Sequence, residues 1–304
     1  MTDDTTTTSP RLAGVIPIPV TTFHDDGRLD LDGLAAQVRF GLDAGAHGVL
    51  YPGVVSEFYT LTDEERRSAV EAVVKAADGR APTVVGVTGA STAAAVAFAE
   101  HARAVGADAV MTMVPYVQHF FSPATDFVLA HMSAVADAAA VPMILQNARV
   151  GFPLGVGGVA EVARQVDGVR YVKQESNPPT QGISEIVATL GDRIDGVFGG
   201  VGGVYLVNEL DRGAVGTMPS PAFVDRIVAA YDLYRGAGAD AAQNLLDPMG
   251  SLFTRELLYN VVFHKEVLRR RGVIGSTRVR IASPELDPVD LADLDRLLAA
   301  ADVR

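Results

Sequence analysis

Val169-Arg170-Tyr171-Val172-Lys173-Gln174-Glu175 is a short, β-branched run that reads as a strand buried on both faces and ending on a lysine. Of the 25 basic residues only three are lysines, Lys75, Lys173 and Lys265; the rest are arginines. Lys75 and Lys265 fall in helical stretches with polar faces, where a solvated ammonium costs little. Lys173 stands where apolar surroundings would strip water from an ammonium and favour the neutral amine, the form that attacks a ketone to make an imine. The plain structural alternative is an ion pair with Glu175 or another carboxylate. The strand alone does not choose between these readings, so its context must.

That strand is one of a series. Gly14 to Val20, Val49-Leu50, Thr83 to Val87, Ala109 to Met113 and Pro142 to Gln146 precede it as short apolar runs; Asp195 to Phe198 and Ala214 to Thr217 follow it. Between them lie helical patterns, at about Leu31–Ala44, opened by Asp30, and at Ser91–Val105, Pro123–Ala138, Val159–Val166, Gly182–Leu190, Val204–Leu210 and Phe223–Arg235. The helix after the second strand opens on Thr62-Asp63-Glu64-Glu65, a capping-box pattern. Gly45-Ala46, Gly106-Ala107, Asp167-Gly168 and Gly213-Ala214 mark the helix-to-strand turns.

Eight strand–helix units predict a (β/α)8 TIM barrel, a fold that takes ~250 residues, rather than a doubly wound sheet. The expected organisation is a disordered tail over residues 1–12, the barrel over 13–238 and a C-terminal helical extension over 239–304, with helices near Ala239–Leu246, Leu252–Arg271 and Val289–Ala301.

Composition excludes several classes. The net charge is −12, and Arg269-Arg270-Arg271 is the only basic run, so neither nucleic acid nor an anionic membrane is the expected partner. There is no cysteine, hence no disulfide and no thiolate chemistry. No apolar run reaches the ~18 residues of a membrane span, and the polar Thr2–Pro10 segment lacks the apolar stretch of a signal peptide. A cytoplasmic location is the expectation. The six histidines show no paired ligand spacing and read as surface or packing residues, with His119 the one that merits checking as a ligand. No glycine-rich nucleotide signature appears. No metal and no other cofactor is expected.

In a barrel the chemistry lies at the C-terminal strand ends. The candidate positions are therefore Thr21 to Phe23, Tyr51 to Glu57, Pro115-Tyr116, Gln146 to Arg149, Lys173, Gly199 to Gly203 and Met218 to Ser220. In this order, from about Gly14 to Leu298, the chain resembles the dihydrodipicolinate synthase/N-acetylneuraminate lyase superfamily of Schiff-base-forming barrels. The resemblance rests on Gly53 to Glu57 followed by Leu61 to Arg66, on Pro115-Tyr116, on Pro142 to Asn147 and on Lys173. It implies that Lys173 forms an imine with a 2-oxo acid.

The departures narrow this. The family's loop after the second strand usually reads Gly-Thr/Ser-Thr-Gly-Glu, and its hydroxyls and amides hold the substrate carboxylate; here Val54, Val55 and Ser56 stand in it. The proton-shuttling tyrosine of the fifth strand is Gln146, and the second tyrosine after Pro-Tyr is Val117. Glutamine forms hydrogen bonds but exchanges no proton near neutral pH, so dihydrodipicolinate synthesis is not expected. The changed set is similar to the 2-keto-3-deoxy-L-arabonate dehydratase branch, in which Ser-Glu precedes the Leu-Ser/Thr-Asp-Glu-Glu-Arg helix start, Gln replaces Tyr, and the eighth strand runs into Gly-Ala-x-Gly-Thr-Met-Pro-Ser, as Gly213 to Ser220 do here.

The expected activity is a Schiff-base lyase acting on a 2-oxo-3-deoxy sugar acid, as a dehydratase. A pyruvate-dependent aldolase is the alternative within enzymes, and a non-catalytic oxo-acid-binding barrel the alternative outside them. Lys173 is the expected nucleophile, with Glu57 and Ser56 as candidates for proton transfer. The plain structural alternative for Glu57 is a carboxylate that buttresses its loop. Val55, Tyr116, Gln146, Asn147, Gly199, Gly200 and Met218 are the expected substrate contacts, the glycines by leaving clearance. Arg149 is read as solvent-facing. The partner is a small 2-oxo acid. The resemblance implies a homo-oligomer, dimer or tetramer, although Val117 replaces the tyrosine that commonly reaches across the family's tight dimer.

Overall fold

The computed structural model describes residues 11–115 and 123–303. Each of the eight apolar runs forms a parallel strand: β1 Gly14–Val15, β2 Val49–Tyr51, β3 Thr83–Gly86, β4 Ala109–Thr112, β5 Met143–Asn147, β6 Val169–Gln174, β7 Gly196–Gly199 and β8 Gly216–Thr217. Their order is β1-β8-β7-β6-β5-β4-β3-β2. The two ends of that order meet through the backbone, where the N–H groups of His47 and Leu50 donate to the carbonyls of Val15 and Pro17 at 2.8 and 3.0 Å. The chain is a TIM barrel with C-terminal helices, as the alternation of patterns predicts.

Seven helices follow the expected pattern closely: α1 Leu31–Asp43, α2 Asp63–Ala77, α3 Thr92–Ala104, α4 Thr125–Ala139, α5 Val156–Gln165, α6 Pro179–Leu190 and α8 Val224–Ala237. α7 is shorter, Leu206–Asp211. Local chemistry explains the starts. Asp30 and Ser91 accept the Gly33 and Ala94 N–H groups, and Thr62 and Glu65 close a reciprocal capping box. Gly45 and Gly106 end their helices at φ 89° and 80°, where a side chain would be strained. Gly168 is different: its hydrogen lets the chain pack on Ala136, whose Cβ would lie 2.7 Å from a Cβ added there.

Period-two alternation sorts the strand residues. Ile16, Ile18, Leu50, Met111, Ile144, Tyr171, Phe198 and Met218 fill the barrel interior. Their neighbours, among them Val110, Leu145, Val172 and Val197, pack outward against the helices.

The extension differs from its expected form. α9 (Ala239–Leu246) and α12 (Pro288–Ala300) fall where predicted, but the long helix expected over Leu252–Arg271 is two, α10 Gly250–Tyr259 and α11 Val261–Arg270. The break is Asn260, at φ 51° and ψ −121°. Asparagine is one of the few residues that tolerates positive φ, so no glycine or proline announces the turn. Phe253, Val261, Phe263, Val267 and Leu294 of the extension share one buried cluster with Leu206, Phe223 and Ile227 of the barrel's last units.

Candidate active site

The inward alternation continues past the apolar layer. On β6, Tyr171 is followed on the same face by Lys173 and then Glu175; on β5, Ile144 is followed by Gln146 and then Ala148. Gln146 and Lys173 are register partners, and Lys173 in turn pairs with Phe198 of β7. Four of these residues, Lys173, Glu175, Gln146 and Ala148, line a cavity of about 360 Å³ above the barrel core. Ile18, Val54, Val55, Met218 and Ser220 close it from the remaining strand ends and their loops, and Glu256 of α10, His264 of α11 and Asn260 between those helices close it from the extension.

Lys173 is 3 % exposed, and its Nζ lies 3.1 Å from Glu175 Oε1. The other oxygen of Glu175 accepts the Gln146 amide at 2.9 Å, and the Val201 N–H approaches Oε1 at 3.3 Å. Burial pushes the Glu175 carboxyl up, but Lys173, Gln146 and Val201 together hold it below its ordinary value, so it is a carboxylate at neutral pH. Lys173 at the end of β6 thus faces a ligand-sized cavity and is also paired with Glu175.

Several expected contacts have other roles. Glu57 does not line the cavity. It is fully buried, with Oε1 against Lys265 Nζ at 2.6 Å and Oε2 receiving the Arg280 and Ile281 N–H groups at 2.9 and 3.3 Å. Lys265, read from sequence as solvated, is wholly buried and also donates to the Arg278 carbonyl at 2.6 Å. A buried ammonium and carboxylate hold each other and pin the loop after β2 to the extension, which is the buttress reading. The Ser56 hydroxyl closes that same loop, donating to the Pro19 carbonyl at 2.6 Å and receiving the Gly53 N–H at 3.0 Å.

Asn147 faces outward, as its position beside Gln146 demands. It ties β5 to Leu154, Gln174 and Ser176. Gly199 and Gly200 give clearance to protein carboxyls: a Cβ on Gly200 would collide with Glu175, and one on Gly199 with Glu209. Val55, Gln146 and Met218 do line the cavity, and Arg149 stands exposed at its rim. Tyr116, Val117 and His119 lie outside the described residues.

Sequence reading passed over three groups. Glu175 entered only as an ion-pair partner, although its place two residues beyond Lys173 puts it on the same face. Glu209, on α7 behind Gly199, is fully buried, with no hydrogen-bond partner of standard geometry for either oxygen among the described residues. Burial pushes its carboxyl up to about 8, against the pull of the Gly200 N–H and Lys173 and with the push of Glu175. His264, read as a surface or packing residue, is buried at the cavity wall beside Glu256. Among the described residues no cluster of three or more histidine or carboxylate side chains has metal-binding geometry.

The dihydrodipicolinate synthetase family profile matches residues 11–298, and the chain belongs to that family of lyases. Among curated relatives it is 31% identical over 292 residues to an L-2-keto-3-deoxyarabonate dehydratase of Azospirillum brasilense, covering 95% of this chain and 94% of that protein. It is also 31% identical over 295 residues to a 4-hydroxy-tetrahydrodipicolinate synthase of Methanosphaerula palustris, covering 95% and 99%. Among solved structures it superposes on the dihydrodipicolinate synthase of Rhodopseudomonas palustris with a TM-score of 0.87 at 24% identity, covering 96% and 99%. It superposes on a prophage protein of the same family from E. coli K12, solved in complex with pyruvate, with a TM-score of 0.88 at 23% identity, covering 97% and 100%. Among the described residues no helix is long and apolar enough to cross a membrane.

Proposed function

We propose that the chain is a Schiff-base-forming lyase that dehydrates a 2-oxo-3-deoxy sugar acid of the L-2-keto-3-deoxyarabonate type. The observation that carries this reading is Glu175, a carboxylate 3.1 Å from the Lys173 amine in the cavity, held by a glutamine at the strand β5 position. A glutamine cannot carry the proton, so the carboxylate it holds is the group for that work.

The steps balance as the loss of one water. Lys173 passes its ammonium proton to Glu175, its Nζ attacks C2 of the oxo acid, and the carbonyl oxygen leaves as water, taking that proton back, to give a protonated imine. The imine acidifies the C3 hydrogens, and Glu175 takes one, forming an enamine. The enamine electrons expel the C4 hydroxyl, which takes the proton from Glu175 and leaves as water. Loss of a C5 proton and return of one to C3 convert the unsaturated imine to an enol, which becomes the aldehyde. Hydrolysis then restores Lys173, consuming one water in place of the one that imine formation released. For the substrate carboxylate, the first two N–H groups of the 54–56 turn, on Val54 and Val55, have no acceptor within it and belong to residues that line the cavity.

A retro-aldol reaction shares the imine and differs in where the base acts, and the synthase of M. palustris among the full-length relatives keeps that reading in the test. The protein is incubated with pyruvate or L-2-keto-3-deoxyarabonate, reduced with borohydride and weighed. The expected result is an adduct on Lys173 that is absent from Lys173→Ala, with a semialdehyde of unchanged carbon count as product. Pyruvate plus an aldehyde would establish the aldolase instead. No adduct with either compound would falsify imine catalysis and leave a binding barrel. The assembly we read, on the family resemblance, is a homo-oligomer, which sedimentation equilibrium resolves.

A further inference from the structure

The far wall of the cavity belongs to the extension and is built from polar groups that the imine chemistry does not use. His264 of α11 is 3 % exposed and Glu256 of α10 is 5 % exposed, yet both line the cavity. His264 Nδ1 is 2.7 Å from the Ser220 hydroxyl, and its Nε2 is 3.6 Å from Glu256 Oε1, too far for a hydrogen bond. Ser220 Oγ also receives the Ala222 N–H at 3.3 Å, which leaves its own proton for Nδ1. Assigned in that way, the imidazole carries its proton on Nε2, facing Glu256. Among the described residues the Glu256 carboxyl makes no side-chain hydrogen bond. Burial pushes it well above the ordinary carboxylate range and pushes His264 down to about 3, so the imidazole is neutral at neutral pH.

The wall lies within one small molecule of the imine centre. Val201 donates to Glu175, and the next residue, Gly202, lies directly against Glu256: a Cβ there would collide with its Oε1. Consecutive Cα atoms are about 3.8 Å apart, so the two carboxyls flank adjacent residues of a single loop. A short 2-oxo acid held at C2 by Lys173 shares this one cavity of about 360 Å³ with the wall, within reach of its tail. A buried acid and a buried imidazole separated by a gap too long to bridge directly, and open to a cavity, are satisfied by a ligand that both donates and accepts hydrogen bonds. An alcohol does both. A terminal carboxylate accepts only and meets no cation in the pair, and a methyl group leaves both partners unsatisfied.

The geometry points to Ser220, Glu256 and His264 as a specificity site for the hydroxyl-bearing tail of the 2-oxo acid, formed across the barrel and its C-terminal extension. This rests on the imine reading for its substrate class. The experiment measures the concentration that half-saturates borohydride trapping on Lys173 for pyruvate, for 2-oxopentanoate and for L-2-keto-3-deoxyarabonate, the last two alike in carbon count. On the wild-type chain the hydroxylated acid is expected to trap at a concentration lower than 2-oxopentanoate by roughly tenfold or more. In Glu256→Leu that ratio falls towards one, while Glu256→Gln, which still donates and accepts, keeps most of it. Pyruvate trapping in each variant reports that the barrel and Lys173 are intact. Equal trapping of the two longer acids by the wild-type chain overturns the tail site while leaving the imine standing, and needs no variant. A ratio unchanged in Glu256→Leu overturns it as well. Failure of the wild-type chain to trap any of the three acids overturns the imine and the tail site together.

Discussion

Glu175 and Glu209 are two carboxyls set close to one lysine and driven in opposite directions. Glu175 has an ammonium, an amide and a backbone N–H, and stays ionised; Glu209 has burial and a neighbouring negative charge, and keeps its proton. If Glu175 moves the protons, Glu175→Gln retains pyruvate trapping on Lys173 but lowers kcat by about 100-fold or more, read by steady-state kinetics. A smaller loss would return the proton transfer to another group. Glu209 makes a different prediction. Its folded value of about 8 lies above its ordinary 4.5, so the folded state binds more protons across that window and loses stability as pH rises through it. Glu209→Gln removes the penalty. Its stability relative to the wild-type chain, measured by urea unfolding, is expected to grow from near zero below pH 4.5 to on the order of a few kcal/mol at pH 8.

At the scale of elements, the loop after β2 is held by the extension. Lys265 of α11 reaches Glu57, 208 residues away in sequence, and the backbone N–H groups of Arg280 and Ile281 complete its coordination. Removing one partner of a buried pair strands the other charge, which costs more than the pair is worth. Lys265→Met is therefore expected to lower unfolding stability by about 3 kcal/mol or more, with loss of substrate binding because Val54 and Val55 sit on the loop so released. The paired change Glu57→Gln with Lys265→Met should recover part of that loss. If the single change is neutral in both unfolding and kinetics, the loop does not depend on the pair.

Over the whole molecule, barrel and extension are also clasped at the surface. Arg280 forms two charge-assisted bonds with Glu65 at the start of α2, at 2.7 and 2.8 Å, and hydrogen bonding to Arg280 pulls the Glu65 carboxyl down to about 2. A depressed folded value means this contribution is present above the ordinary 4.5 and lost as pH falls through about 2. Comparing Glu65→Gln with the wild-type chain by thermal unfolding should show a wild-type advantage on the order of 1–2 kcal/mol at pH 6 that vanishes near pH 2. An advantage independent of pH would mean that packing, not charge, holds the clasp.

The order of the eight strands, the capped starts of α1 and α2 and the place of Lys173 at the end of β6 were legible in the amino-acid sequence, because each depends on neighbours a few residues away: a period of two or 3.6, a cap, a turn glycine. The same alternation implies that Gln146 faces the cavity, Asn147 faces away, and Glu175 shares the lysine's face. What only the tertiary structure decided lies at long range. Glu57 is a buttress because Lys265 reaches it, and Gly199 and Gly200 are spaces for Glu209 and Glu175. The expected long helix breaks at Asn260, and Glu256 and His264 arrive at the cavity from the extension. None of these has a local signature, since burial and charge pairing are set by which distant segments meet, and the physical role of an ionisable side chain follows from that meeting.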